Sequence, residues 1–178
     1  MGATMAATLP VKISFSLPEG WQAAPPDEVG APNVAFVALH AASVDGGFTA
    51  NITISGEMRN DGATISQIAD ESVPRLEQGG PVRVLKKSEI GTPDLPGLTD
   101  SPGIVQNVVL STTLHGEPIE LCQSQVYLGM EDVRNPAQRA VIEIVLTATR
   151  NQLGEVIEDY KKFLRTVQQA DDSASASN

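Results

Sequence analysis

Apolar and polar side chains alternate with a period of two over much of this 178-residue chain. The alternation is clearest at residues 11–17 and 48–55, where every second side chain is apolar. Side chains of a β-strand point to opposite faces of the sheet in turn, so each segment predicts a strand with one buried face. The chain must therefore fold around a β-sheet.

Further segments also have the composition of strands. Residues 34–42 are apolar at odd and even positions alike, apart from His40. This pattern predicts a central strand that is covered on both faces. Residues 82–90 predict a weaker strand. We expect a meander of three long strands at about residues 104–114, 119–129 and 139–149.

Two stretches have helical spacing instead. Thr64 and Gln67 form a capping-box sequence, and the apolar residues that follow on one face are Ile65, Ile68, Ala69 and Leu76. Pro74 removes one backbone hydrogen bond and predicts a kink. Asn151 is the expected N-cap of the second helix, whose apolar face comprises Leu153, Val156, Ile157, Tyr160, Leu164 and Val167.

The predicted fold class is α+β, with an antiparallel sheet of six or seven strands flanked by helices. We expect residues 10–169 to form a single domain, between a disordered N-terminus at residues 1–9 and a disordered acidic, Ser/Ala-rich tail at residues 170–178. Proline-rich connections are predicted at residues 18–32 and 91–103.

The charge of the chain excludes some partners. Its 12 basic and 22 acidic residues give a net charge of -10, which repels phosphate backbones and anionic lipid headgroups. We therefore expect no nucleic-acid partner and no membrane insertion. The single cysteine, Cys122, cannot form an internal disulfide, and the sequence shows no export signal. These features predict a cytoplasmic protein; the alternative is an exported protein from which a signal segment has been removed.

Common catalytic and cofactor motifs are absent from the sequence. It contains no glycine-rich phosphate loop, HExxH, CxxC or GxSxG motif and only two histidines, His40 and His115, so we expect no cofactor, no metal site and no enzymatic activity. His40 could act as a general base, but the preferred interpretation is a histidine at the edge of the core that is hydrogen-bonded to a neighbour. His115 is expected in a solvated turn, and Cys122 as a small buried strand residue.

A polar cluster follows from the expected register of one hairpin. If Leu114 faces Ile119, a group of amides and one phenol lies on a single sheet face. The group comprises Gln106, Gln123, Gln125 and Tyr127. Such groups could hydrogen-bond a peptide or a small polar ligand, or they could line an open, hydrated face. On either interpretation, replacing Gln123 and Gln125 with alanine should leave the melting temperature nearly unchanged.

The only tryptophan, Trp21, is the remaining candidate binding residue. It follows Gly20 in a segment that we predict to be a proline-rich loop. Tryptophan is enriched at binding hot spots, so Trp21 could face a partner. The preferred interpretation is that it folds back and closes the end of the sheet.

Short sequence segments in the first half of the chain resemble those of a known protein family. A first strand ending in Phe-Ser-Leu-Pro-Glu-Gly-Trp at residues 15–21, then Asn33 at the start of the next strand and Phe-Thr-Ala-Asn-Ile-Thr-Ile at residues 48–54, resembles the PsbP/LpqN-like superfamily. The resemblance extends over residues 10–169 and implies an α/β/α sandwich. It points to an actinobacterial-type LpqN-like protein, although no cysteine is present that could carry a lipid.

Members of that superfamily include a photosystem-associated extrinsic protein, a Ran-binding nuclear import factor, envelope lipoproteins and chaperones of secretion effectors. They are mostly not enzymes, so the resemblance implies a binding or assembly role. Our first hypothesis is a non-enzymatic, chaperone-like accessory module, monomeric or weakly dimeric, that binds another protein through a sheet face and the loops near Trp21 and residues 91–103. The alternative is a small-molecule binder or hydrolase with a cleft at the four polar residues and His40 nearby.

Overall fold

The computed structural model describes residues 9–29, 34–43, 47–90, 103–131 and 138–169. In this part of the chain a seven-stranded sheet lies between two helices, and a separate two-stranded ribbon pairs the first strand with the last. The elements in order are β1 (Ile13–Ser14), β2 (Trp21–Ala24), β3 (Phe36–His40), a 3-10 turn (Ala41–Ser43), β4 (Asn51–Arg59), α1 (Ile65–Glu77), β5 (Val82–Ile90), β6 (Gly103–Leu114), β7 (Glu117–Glu131), β8 (Arg139–Thr149), α2 (Arg150–Thr166) and β9 (Gln168–Gln169). The predicted α+β class is confirmed, with seven strands in the main sheet.

The order of strands in the main sheet is β2-β3-β4-β8-β7-β6-β5, and every neighbouring pair is antiparallel. Strands β5 to β8 are consecutive neighbours, which confirms the predicted meander. Because β8 pairs with β4, the chain must cross the sheet between β4 and β5. Helix α1 makes this crossing and packs on β5, β6 and β7, so it leaves part of β4 and β8 uncovered on that face.

Strand β8 lies at the centre of the core because all of its side chains on one face are buried and apolar, and part of its other face is buried as well. Its face toward α2 is at most 1% exposed at Ala140, Ile142, Ile144, Leu146 and Ala148. On the other face Val141 and Val145 are also buried. Helix α2 completes the larger core with Val156, Tyr160, Phe163 and Leu164. Each fully buried large aliphatic side chain contributes about 1.5–3 kcal/mol.

Helix α2 begins two residues earlier than the sequence predicts. Thr149, not Asn151, is the N-cap: its Oγ1 accepts a hydrogen bond from the backbone N–H of Gln152 at 3.2 Å. The side chain of Gln152 accepts in return from the backbone N–H of Thr149 at 2.9 Å. This reciprocal capping box lets β8 pass directly into α2.

Helix α1 agrees with its predicted start. Thr64 and Gln67 form the expected capping box, with bonds of 3.0 and 2.8 Å. Pro74 lies inside the helix, which nevertheless continues to Glu77. The face toward the sheet is buried at Ile65, Ile68, Ala69 and Ser72.

The hairpin between β6 and β7 turns over two residues, which corrects the predicted break at residues 115–118. Leu114 pairs with Glu117. His115 and Gly116 both have positive φ, at 53° and 80°, as the tight turns of twisted hairpins require. Pro118 lies within β7, before the residues that pair with β8, so its missing N–H removes no bond to that strand.

The register of this hairpin therefore differs by two residues from the prediction. Gln106 pairs with Gln125 rather than with Tyr127, and Val108 pairs with Gln123. Because side chains change face at every residue, a shift of two alters the partners and keeps the faces. The predicted cluster of polar residues therefore forms despite the wrong register.

The structure of residues 11–24 also differs from the prediction. Only Ile13 and Ser14 of the predicted strand at residues 11–17 are paired, and their partners are in β9. The alternation still orients the segment, since its apolar side chains Val11, Ile13, Phe15 and Leu17 pack on the larger core. Trp21 lies in edge strand β2 and not in a loop. Strand β3, between β2 and β4, buries Val37 and Ala38 on opposite faces, as predicted.

Several predicted features lie outside the described residues. They are the start of the chain at residues 1–8, the end of the first connection at residues 30–32 together with Asn33, most of the second connection at residues 91–102, and the tail at residues 170–178. The domain limits stay predictions. Neither α1 nor α2, the two helices of the described ranges, is long and apolar enough to cross a membrane.

Candidate functional site

A polar cleft lies on the face of the sheet that α1 partly covers. It consists of two adjoining cavities of about 190 and 290 Å³, which share Ser55, Arg75 and Glu143 as lining residues. Strands β4, β7 and β8 form its floor, and α1 forms one wall. The cleft exists because α1 packs chiefly on β5, β6 and β7 and leaves part of β4 and β8 uncovered on this face.

Glu143 is the central group of the cleft. It lies on β8 between Val141 and Val145 on the same face, and its side chain is 21% exposed. The hydroxyl of Tyr127 donates a hydrogen bond to Glu143 Oε2 at 2.8 Å. Arg75 Nη2 is 3.9 Å from Glu143 Oε1, which is an ion-pair distance but too long for a hydrogen bond. Burial raises the pKa of Glu143 above its ordinary value.

The predicted amide cluster lies beside Glu143, and its inner part is buried under α1. Gln106 and Gln125 are each 1% exposed. Gln106 Nε2 donates to Gln125 Oε1 at 2.9 Å and to the carbonyl oxygen of Ala69 at 3.0 Å. Ser72 Oγ is 3.1 Å from Gln125 Oε1. These contacts join β6 and β7 to α1, so this part of the face is not open and hydrated.

The outer part of the cluster borders the cleft. Gln123 is half-buried and lines the larger cavity. Its Oε1 accepts from Gln125 Nε2 at 2.9 Å, and its Nε2 donates to Thr147 Oγ1 at 3.1 Å. Tyr127 is 1% exposed, and burial raises the pKa of its hydroxyl well above the usual range. The structure thus brings all four predicted residues together but exposes chiefly Gln123 to the cleft.

Trp21 is on the opposite face, in the larger core, and is 6% exposed. Its Nε1 donates to Asp159 Oδ2 on α2 at 3.0 Å, and its ring centroid is 5.1 Å from that of His40. These contacts correct the hypothesis of an exposed anchor in a loop. They fit the interpretation that Trp21 folds back and closes one end of the sheet.

The other candidate catalytic residues are also remote from the cleft. His40 shares its face with Trp21, and its buried Nδ1 has no hydrogen-bond partner among the described residues, so it is not the bonded histidine that we expected. Cys122 is buried on the face toward α2, where burial raises the pKa of its thiol. His115 is exposed at the hairpin turn, as predicted. Over the described ranges, no group of three His, Cys, Asp or Glu residues could hold a metal ion.

Sequence reasoning missed Glu143, Ser72 and Arg75. One signal for Glu143 was present: it is the single charged residue in the apolar run of residues 140–146. Because side chains alternate between the two faces of a strand, this acid is expected on the face opposite Ile142 and Ile144. Ser72 and Arg75 gave no such signal, because polar residues on a helix are common and only packing shows which of them face the sheet.

No protein-family model matches the sequence, and no curated protein matches it either. The structure is similar to that of LpqN, involved in cell envelope biogenesis of Mycobacterium tuberculosis, with a TM-score of 0.64, 11% identity, and 91% of this chain and 86% of that chain covered. It is also similar to the solution structure of cyanobacterial PsbP (CyanoP) from Synechocystis sp. PCC 6803, with a TM-score of 0.53, 9% identity, and 89% and 86% covered. At these identities the likeness establishes the fold, which confirms the PsbP/LpqN-like architecture; actinobacterial origin stays a prediction.

Proposed function

Starting from this PsbP/LpqN-like fold, we propose that the protein is a non-enzymatic accessory module that binds another protein through the cleft around Glu143. The observation that carries the proposal is a carboxyl group between two buried valines, Val141 and Val145, at the floor of an open cleft. Removing a carboxylate from water is unfavourable unless it is paired. Among the described residues, Tyr127 donates a hydrogen bond to Glu143 Oε2 at 2.8 Å, and the hydroxyl of Ser55 is a second hydrogen-bond partner of this carboxyl group.

A carboxylate has about four acceptor positions, so Glu143 can accept a further donor from a bound segment. Its nearest cation, Arg75, is 3.9 Å away on a side chain that is 60% exposed, so this pair is weak and can open. A backbone N–H or a lysine of the partner would complete the hydrogen bonds of Glu143. Gln123 and Thr147, on the same face, add amide and hydroxyl groups that suit a polar peptide segment.

The residues that line the cleft support binding rather than catalysis. Among the described residues they supply carboxyl, guanidinium, amide, hydroxyl and apolar groups but no histidine or thiol. The raised pKa of Tyr127 keeps its hydroxyl protonated, so it acts as a hydrogen-bond donor to Glu143. A hydroxyl held in this way is a poor nucleophile at neutral pH.

A small polar molecule is the second candidate ligand. The cavity of about 190 Å³ next to Glu143 and Tyr127 favours it, because it would accommodate a compact donor group. The hydrolase version of this alternative loses its proposed base, since His40 lies on the other face of the sheet.

We also propose three further properties that the sequence predicts. They are a cytoplasmic location, a monomer or weak homodimer, and the absence of nucleic-acid partners, which the charge of -10 supports.

The proposal is tested by affinity capture of the tagged protein from a lysate of its own source, with cross-linking and quantitative mass spectrometry. The variant is Glu143→Gln, which keeps the size of the side chain and removes its charge. The matched control is Glu120→Gln, whose carboxylate pairs with Arg150 near the hairpin turn. We expect one stoichiometric partner that cross-links beside the cleft, is lost with Glu143→Gln and is retained with Glu120→Gln. The same proteins in all three samples, or none above a tag-only control, would reject the cleft as a protein-binding site.

A further inference from the structure

Strand β5 is an edge of the main sheet and has an unusual surface. Within the described residues it pairs only with β6, so its outer side presents unpaired backbone groups. Four consecutive residues are exposed: Arg83, Val84, Leu85 and Lys86. Val84 is 43% and Leu85 57% exposed, and they are two of the few large apolar side chains on the surface of the described residues. We name this four-residue segment the β5 edge.

A β-bulge sorts the side chains of the β5 edge between the two faces. The pairing with β6 shifts between Val84 and Lys86, so Leu85 has no partner. Arg83 pairs with Val109 and Lys86 with Asn107, two positions that lie on the same face of β6. Without the extra residue, Lys86 would share the face of Val84. The bulge therefore places both cations on one face and Val84 on the other.

The two cations of the β5 edge have no ion-pair partner in the part of the chain that the structure describes. Lys87 differs, because its Nζ binds Asp70 and the carbonyl oxygen of Ser66 on α1. The chain has only 12 basic residues against 22 acidic ones, and three of the basic residues lie at positions 83–87. The edge is thus a local cationic surface on an acidic protein.

We propose that the β5 edge binds an extended segment of another protein in which acidic and apolar residues alternate. Such a segment would add a strand to the sheet through backbone hydrogen bonds. Its acidic side chains would lie beside Arg83 and Lys86, and its apolar side chains beside Val84 on the other face. A second copy of this chain is disfavoured, because pairing two β5 edges brings like charges together. This site is separate from the cleft and does not depend on the function proposed for it.

The probe is a fluorescent peptide that alternates glutamate with valine, measured by fluorescence anisotropy with the full-length protein. A peptide of the same composition, with its glutamates and valines in separate blocks, tests whether alternation matters. The variant is Arg83→Glu with Lys86→Glu. The matched control is Lys161→Glu with Lys162→Glu, which makes the same change in charge on exposed residues of α2.

We expect the alternating peptide to bind the wild type and to lose at least about tenfold in affinity to the Arg83/Lys86 variant, with a change below about twofold in the Lys161/Lys162 control. The block peptide should also bind at least about tenfold more weakly. Equal binding of both peptides would show simple charge attraction and overturn the proposal, as would equal effects of the two variants or no binding. A wild-type dimer that becomes monomeric with Leu85→Lys would also overturn it, because a second copy would then occupy the edge.

Discussion

Replacing Gln125 with alanine should strongly destabilise the protein, which reverses the expectation from the sequence alone. Gln125 is 1% exposed, and its Oε1 accepts from Gln106 Nε2 at 2.9 Å and lies 3.1 Å from Ser72 Oγ. The alanine variant removes this acceptor and leaves a cavity under α1. A buried donor without its partner costs about 1–3 kcal/mol, and the lost packing adds about 1 kcal/mol or more.

We therefore expect Gln125→Ala to lower the free energy of unfolding by about 3 kcal/mol. For a chain of this size that corresponds to a fall in melting temperature of about 6–12 °C. Urea denaturation followed by circular dichroism gives the free energy, and a thermal melt gives the temperature. Gln125→Leu, which keeps most of the volume, separates the two contributions: its loss reports mainly the hydrogen bonds.

The matched control is Gln22→Ala, at an exposed position of edge strand β2, which should change stability by less than about 0.5 kcal/mol. A loss below about 1 kcal/mol for Gln125→Ala would refute the reasoning, because it would mean that the buried amides do not support the contact between α1 and the sheet.

Thr149→Ala removes the N-cap of α2 and should lower the free energy of unfolding by about 1 kcal/mol in urea denaturation. Tyr160→Phe removes a buried hydroxyl that donates to the carbonyl oxygen of Ile144 at 2.8 Å, and should lower it by about 1–2 kcal/mol in the same assay. Glu143→Gln should stabilise the protein more and more as the pH rises above 4.5, the ordinary pKa of a glutamate. Burial raises the pKa of Glu143, so the wild type is favoured while this carboxyl is protonated and loses stability as it ionises.

These predictions have their own controls. Thr149→Ser should restore most of the loss, because serine is at least as good an N-cap as threonine. Tyr160→Phe should leave the m-value unchanged, since the surface exposed on unfolding is the same. For Glu143→Gln, denaturation at about pH 4 and about pH 8 is compared with Glu120→Gln. A stability difference from the wild type that is constant over this range would contradict a raised pKa at Glu143.

Much of the fold was predictable because its signals are local. Residues 82–90 and 139–149 were predicted as strands with the bounds that they have in the structure. The hairpin between β6 and β7 shows which features local sequence signals specify and which they do not. Its faces were correct, because the period of two is a property of each strand. Its register was wrong by two residues, because the length of the turn depends on the positive φ of His115 and Gly116.

The candidate site was predictable only in part, for the same reason. The alternation placed Gln106, Gln123, Gln125 and Tyr127 on one face, and they do lie together. Which of them is buried depends on the path of α1 over the sheet, and no periodicity in the sequence specifies that path. Trp21 was placed in a loop because prolines and glycines surround it, whereas its pairing with His40 in β3 makes the segment a strand.

The sequence by itself determined most of the strands of this protein, the faces of their side chains, the two amphipathic helices and the acidic charge of the chain. Each depends on residues that are close together along the chain. Only the tertiary structure decided that β8 pairs with β4, that α1 covers the amides and leaves Glu143 at the floor of a cleft, and that β5 is an edge. These features arise from contacts between distant segments, whose energies depend on how all the layers pack together.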